Sequence, residues 1–155
     1  MKAVVIGTGL IGGSFARDLR RIMPQAEILG RDLKESHLNK ALELGLIDGK
    51  AGEDDLESAD IVLACIPVNS LARVLPEILD QAGEETLVLD AGSTKALICD
   101  AVRKHPKRRN FLACHPIAGT EFTGPEAAIS GLFEGKTNII CEVEQTAFRI
   151  QERAL

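Results

Sequence analysis

The chain has 155 residues, 45% of them hydrophobic and 26% charged, with 18 Lys and Arg against 23 Asp and Glu for a formal net charge of −5. That length suits one compact domain that buries roughly two thirds of its unfolded surface, and so apolar a chain with so modest a charge is not a disordered one. With Phe as the sole aromatic type and no basic excess, it offers neither the positive face nor the stacking platform of a nucleic-acid binder.

In chain order, Lys2–Ile6 (KAVVI) predicts a strand buried on both faces. The opening MKAVVIGTGLIGGSFA has the charge and small residues of a leader peptide, but its four glycines suit a strand and turn better than a signal helix. Ile11–Ile22 follows as a helix, with Pro24 just past its end. Glu27–Leu29 reads as a short second strand and Lys34–Leu44 as a helix terminated by Gly45. An acidic turn around Glu53–Asp60 introduces a buried strand at Ile61–Cys65. The longest apolar stretch, Ile61–Val68, falls far short of the ~20 residues a membrane-spanning helix needs. Ser70–Leu79 reads as a helix despite Pro76, Thr86–Leu89 as a strand, Thr94–Lys104 as a helix, and Phe111–Cys114 and Thr137–Cys141 as strands. Gln145–Leu155 has a helical pattern with Phe148, Ile150 and Leu155 on its apolar side, fitting either a frayed surface helix or one that packs on something beyond it. Strands separated by 10–12-residue helices make βαβ units. The fold expected is α/β: a doubly wound, mostly parallel sheet with helices on both faces. The four cysteines, Cys65, Cys99, Cys114 and Cys141, form no CxxC pair and no metal-ligand spacing, so they read as buried thiols of a cytoplasmic protein.

The sharpest motif is Gly7-Thr8-Gly9-Leu10-Ile11-Gly12, directly after the first strand and opening the first helix. That context is what a dinucleotide-binding glycine loop requires, and it makes the expected sheet Rossmann-like. Gly7 allows the tight turn, Gly9 lets backbone approach a pyrophosphate, and Gly12 lets helix and strand pack closely. Leu10 and Ile11 stand at the helix N-terminus, whose free N–H groups and dipole favour phosphate. The competing reading is a plain glycine-rich turn. Asp32 falls 20 residues after Gly12, the spacing of a carboxylate that accepts from the adenosine ribose and repels a 2′-phosphate. NAD is therefore favoured over NADP, although Arg31 next to it could pair with a 2′-phosphate. Asp32 could also simply cap the following helix.

Ligands of open parallel sheets bind outside the carboxyl ends of the strands, and three such ends carry unusual residues. Cys65-Ile66-Pro67-Val68 forms a turn made rigid by Pro67, with Ile66 and Pro67 placed to wall a cofactor. Asp90-Ala91-Gly92-Ser93-Thr94-Lys95 follows the next strand. Ser93 or Thr94 could cap the ensuing helix, while Lys95 in a first helical turn opposes the dipole and hints at another role. Cys114-His115-Pro116 ends the third. Pro116 holds His115 extended at the sheet edge, and the loop Ile117-Ala118-Gly119-Thr120-Glu121 follows, an arrangement that favours acid–base chemistry over a structural His. His105, in the basic run Lys104–Arg109, reads as solvated surface.

Together GTGLIGGS at 7–14, Asp32, IPV at 66–68, DAGSTK at 90–95 and HPIAGTEFTG at 115–124 resemble the prephenate dehydrogenases of tyrosine biosynthesis, in order across nearly the whole chain. The pair GSTK and HPIAGTE is far more specific than the glycine loop. The resemblance implies NAD-dependent oxidative decarboxylation of prephenate to 4-hydroxyphenylpyruvate. By the same resemblance His115 accepts the proton of the ring hydroxyl, Ser93 hydrogen-bonds and orients it beside the nicotinamide, and Glu121 orders charge at the entrance. Gly119 and Thr120 stand with them in the substrate loop. Phe122-Thr123-Gly124 departs from the serine many members carry before that glycine, but Thr123 keeps the hydroxyl. Family members add an all-helical domain that forms a homodimer and supplies an arginine for a substrate carboxylate. Residues 1–144 are thus expected to be the nucleotide-binding domain and 145–155 the start of a helix leading into the second. No residue of this chain takes the arginine's role, so the chain alone is expected to bind NAD yet turn over prephenate poorly. No metal, membrane or nucleic-acid partner is expected. Arogenate as substrate, a non-catalytic nucleotide-sensing module, and an imine or hydroxyacid reductase are the alternatives.

Overall fold

A computed structural model describes residues 1–154; Leu155, the last residue of the expected final helix, lies outside them. The strands are β1 (Lys2–Ile6), β2 (Glu27–Arg31), β3 (Gly49–Lys50), β4 (Ile61–Ala64), β5 (Leu87–Asp90), β6 (Phe111–Pro116) and β7 (Asn138–Cys141). The helices are α1 (Leu10–Ile22), α2 (Glu35–Glu43), α3 (Asp54–Glu57), α4 (Val68–Gln81), α5 (Ala96–Val102) and α6 (Phe148–Ala154). One sheet runs in the order β3-β2-β1-β4-β5-β6-β7, parallel throughout except for β7, which pairs antiparallel with β6. The chain starts at β1 in the middle, winds outward to β3, then crosses back to β4. The strand order therefore reverses between β1 and β4, the place where such sheets open a crevice.

The uninterrupted apolar runs are explained by helices on both faces. Val4 and Ile6 of β1 pack with Leu71 and Leu75 of α4 and Ile98 of α5, while Val5, pointing the other way, packs with Ala16 of α1 and Leu38 of α2. α2 ends as predicted at Gly45, with the Leu46 N–H returning to the Ala41 carbonyl.

Several elements differ from expectation. The acidic stretch 53–60 holds a one-turn helix, α3, and the two-residue β3 precedes it; neither is long enough to show a period. α5 begins at Ala96 rather than Thr94, and no side chain caps it. β6 runs two residues further than predicted because β7 pairs with it, setting His115 opposite Ile139. The predicted terminal helix is a 3-10 turn at Val143–Gln145 followed by α6. The break falls where the Thr146 hydroxyl and the Ala147 N–H bind the carbonyls of Phe111 and Arg109, at 2.6 and 2.8 Å. Ile150 is buried against Leu87 and Leu112, whereas Phe148 is exposed.

Candidate functional site

The glycine loop is shaped by two close approaches. Gly7 has φ +90°, and a side chain there would meet the Cys65 carbonyl oxygen at 2.5 Å. At Gly12, a Cβ would lie 2.1 Å from the Gly7 carbonyl oxygen. Gly9, at the head of α1, is the opposite case: nothing lies within 4 Å of where its Cβ would be. No side chain caps α1 and no acidic residue sits in its first turn. The start of α1 at Leu10 and Ile11 thus carries the positive end of the dipole with no side-chain cap and with open space beside Gly9, a cradle that fits a pyrophosphate. Gly13 and Ser14 do something else. Gly13 abuts Ala128, and the Ser14 hydroxyl accepts the Ile129 N–H at 2.9 Å, docking the 125–130 segment on α1.

Asp32 stands just beyond β2. Its Oδ2 accepts the Thr8 N–H at 2.9 Å and the Thr8 hydroxyl at 3.2 Å, and its Oδ1 accepts the Lys34 N–H at 2.9 Å. His37 Nδ1 lies 3.4 Å from Oδ2. Burial pushes this carboxyl up, but the N–H groups of Lys34 and Thr8, His37 and the Thr8 hydroxyl outweigh it and hold it below the ordinary range. The Arg31 guanidinium, one residue before Asp32, donates to Gln81 Oε1 at 2.9 Å. Ile66 and Pro67 lie just past the end of β4. The Ile66 side chain comes within 2.8 Å of the Gly7 Cβ position, and Pro67 stands at the head of α4.

The second cluster lies at the ends of β5 and β6. His115 is half-buried, and its Nδ1 is buried with no hydrogen-bond partner among the described residues. Ser93 is exposed on the 91–95 loop, and no hydrogen bond joins it to His115. Lys95 has the separate role its position hinted at: its ammonium ion-pairs with the fully buried carboxylate of Asp90. A cleft of about 590 Å³ is lined by His115, Ile117, Ala118, Gly119, Thr120 and, across it, Lys136. The Ile117 N–H bonds the Thr137 carbonyl at 2.8 Å, fixing this loop to the segment that carries Lys136. The Lys136 ammonium has no partner among the described residues. Sequence reasoning missed it, since nothing in Gly135-Lys136-Thr137 sets it apart from a surface lysine. Glu121 is exposed and lines neither this cleft nor the apolar groove of about 460 Å³ between α1 and β4–β7.

Three side features bound the chemistry. Burial pushes the Cys99 and Cys114 thiols up to about 11 and raises Cys65 as well, so these three are not thiolates at neutral pH; Cys65 and Cys141 are half-buried rather than buried. Among the described residues no group of three His, Cys, Asp or Glu is placed to hold a metal, and no helix is long and apolar enough to cross a membrane. His105 is not solvated surface. Its side chain is 10% exposed, 3.1 Å from Asp80, and Nδ1 accepts the Lys107 N–H, because the turn after α5 folds back onto α4.

A family model described as "Prephenate dehydrogenase, nucleotide-binding domain" matches residues 15–152. The chain is 34% identical over 147 residues to the prephenate dehydrogenase of Bacillus subtilis (strain 168), covering 92% of this chain and 40% of the relative. It superimposes with a TM-score of 0.83 on the Aquifex aeolicus prephenate dehydrogenase in complex with hydroxyphenyl propionate and NAD+, at 31% identity, covering 99% of this chain and 55% of that one. The Synechocystis arogenate dehydrogenase gives a TM-score of 0.88 at 28% identity, over 99% of this chain and 54% of that one. The chain thus spans about half the length of the proteins it matches.

Proposed function

This chain belongs to the prephenate dehydrogenase family, as its nucleotide-binding domain, and from that premise we propose that the protein catalyses NAD-dependent oxidative decarboxylation of prephenate to 4-hydroxyphenylpyruvate. The observation that carries this is the pairing of two unmet polar features on one sheet edge: the open N-terminus of α1 at Gly9, and the buried Nδ1 of His115, which has no partner among the described residues. A buried polar atom without a partner costs roughly 1–3 kcal/mol, a cost that a bound group or a rearranged Ser93 hydroxyl would relieve. The Aquifex aeolicus relative was solved with NAD+, and the loop geometry here suits the same ligand.

When bound, the nicotinamide ring supplies the hydride acceptor. The chain's own residues do the rest. Gly7, Gly9, Leu10, Ile11 and Gly12 present backbone to the pyrophosphate, Asp32 accepts from the adenosine ribose, and Ile66 and Pro67 wall the crevice. The engagement of Arg31 by Gln81 supports NAD over NADP. His115 takes the ring hydroxyl proton as hydride leaves that carbon. The bond to the ring carboxylate then breaks and carbon dioxide departs; the electron pair of that bond completes the aromatic ring and passes to the former hydroxyl oxygen, which takes the proton back from His115. Aromatisation makes this favourable, so positioning and one proton acceptor suffice. Ser93 orients His115, Gly119 and Thr120 shape the substrate loop, and Glu121 orders charge at its mouth. Lys136, in the cleft with His115, supplies a cation for a substrate carboxylate in addition to the arginine expected from the helical domain. A cytoplasmic location, and a homodimer built through a helical region after residue 144, belong to the same proposal.

Arogenate is the second reading, favoured by the likeness to the Synechocystis enzyme. Both are tested by following reduced nicotinamide with the full-length protein, each acid being offered with NAD+ and with NADP+. Prephenate with NAD+ is expected to give the highest kcat/KM. Oxidation of neither acid would overturn the proposal. The chain alone is expected to bind NAD+ but turn over slowly.

A further inference from the structure

One carboxylate inside the sheet takes no part in the chemistry above. Asp90 ends β5 with its side chain 0% exposed. Its Oδ1 accepts the Cys114 N–H at 3.0 Å, and its Oδ2 accepts the Gly92 N–H at 3.0 Å together with the Lys95 ammonium. Backbone register between β5 and β6 ends at Leu89 and Leu112; β5 runs one residue further, to Asp90 opposite Ala64 of β4, before entering the loop that carries Ser93. β6 runs on alone on that side through Ala113–Pro116. The Asp90 side chain stands in for the departed strand, taking the N–H that a main-chain carbonyl would otherwise have met. The two residues it grips, Gly92 and Cys114, are the immediate chain neighbours of Ser93 and His115.

We propose that Asp90 is a positioning residue: by holding the Gly92 and Cys114 N–H groups on one carboxylate, it sets where Ser93 stands relative to His115 for proton transfer. This rests on the reading of His115 as the proton acceptor. The architecture explains why the residue is an Asp. A side chain of one methylene spans from the last residue of one strand to the next strand, and a carboxylate accepts on both oxygens. An amide has a single acceptor oxygen and would turn its NH2 toward the ammonium or toward an N–H. Lys95 balances the charge that this buried acceptor requires, which accounts for a lysine at the head of α5.

The test is a double-mutant cycle in the full-length protein, Asp90→Asn with His115→Asn, on oxidation of the preferred acid with NAD+. Asp90→Asn alone is expected to lower kcat by at least about tenfold, with the NAD+ Kd within about threefold of wild type. In the His115→Asn background the same change should alter kcat by less than about twofold, because the group it serves is gone. Equal factors in both backgrounds, or an unchanged kcat, would overturn the proposal. Asp90→Glu, which keeps the charge opposite Lys95 but lengthens the reach, is expected to fold and to lower kcat likewise; wild-type kcat in that variant would also overturn it. An inactive wild type overturns the underlying functional reading, whereas an active wild type with insensitive Asp90 variants overturns this proposal alone.

Discussion

Asp32, the carboxylate proposed to accept from the ribose, shows how much chemistry one position carries. Asp32 is already ionised and oriented before any ligand arrives, with donors from Thr8 and Lys34 on both oxygens. Charge-assisted hydrogen bonds contribute roughly 1.5–3 kcal/mol, so Asp32→Asn is expected to weaken NAD+ by about 10- to 100-fold while leaving or improving NADP+. Titration calorimetry with both dinucleotides checks this, and an unchanged NAD+ Kd would remove Asp32 from the site. Asp32 is legible in sequence because its cue is local, a fixed spacing from the glycines. Asp90 and Lys136 are not. The Asp90 grip on Cys114 spans 24 residues and exists only once β5 and β6 are neighbours. Lys136 reaches the cleft because β7, which follows it, pairs antiparallel with β6. Ser93 and His115 are named by motif, but the gap between them is a tertiary fact.

Among elements, the turn from β1 to α1 joins stability to function. Gly12 and Gly9 separate the two cleanly. A methyl group at Gly12 meets backbone at 2.1 Å, whereas one at Gly9 meets nothing. Gly12→Ala is expected to lose about 1–3 kcal/mol of unfolding free energy in urea, the range of overpacked sites. Gly9→Ala is expected to keep stability within about 0.5 kcal/mol, as at other open positions, yet to weaken dinucleotide binding by putting a methyl group where the pyrophosphate would lie. Equal stability losses in the two variants would contradict this division. The buried parallel strands were legible because their apolar runs are long enough to show both-face burial. β3 and α3 were not, having two and four residues, and the direction of β7 leaves no mark on hydrophobic pattern.

Across the whole molecule, acid should unfold this protein through carboxylates that the fold holds ionised. Asp32 is lowered by the donors described above, which overcome its burial; Asp48 likewise by Arg20 and the Ile28 N–H; Asp55 chiefly by Lys2. Their folded values lie below the ordinary Asp value of about 3.9, so the stability they contribute is complete above that pH and is lost as pH falls through the folded values. Asp90 runs the other way: burial raises it against the pull of Lys95, Cys114 and Gly92, so its contribution is present below the ordinary value, is lost as pH rises through the folded one, and partly offsets the acid loss. The urea midpoint is expected to fall from about pH 5 to about pH 3; a midpoint that rises on acidification would contradict this account.

The central claim is that the sheet edge at the end of β6 delivers an imidazole to the reacting hydroxyl. The most direct measurement is kcat for oxidation of the preferred acid by the full-length His115→Asn protein, alongside its NAD+ Kd. Loss of a positioned general base predicts a fall of about 10²- to 10⁴-fold in kcat with the NAD+ Kd unchanged. A variant that keeps wild-type kcat, or loses it only in step with NAD+ affinity, would contradict the claim.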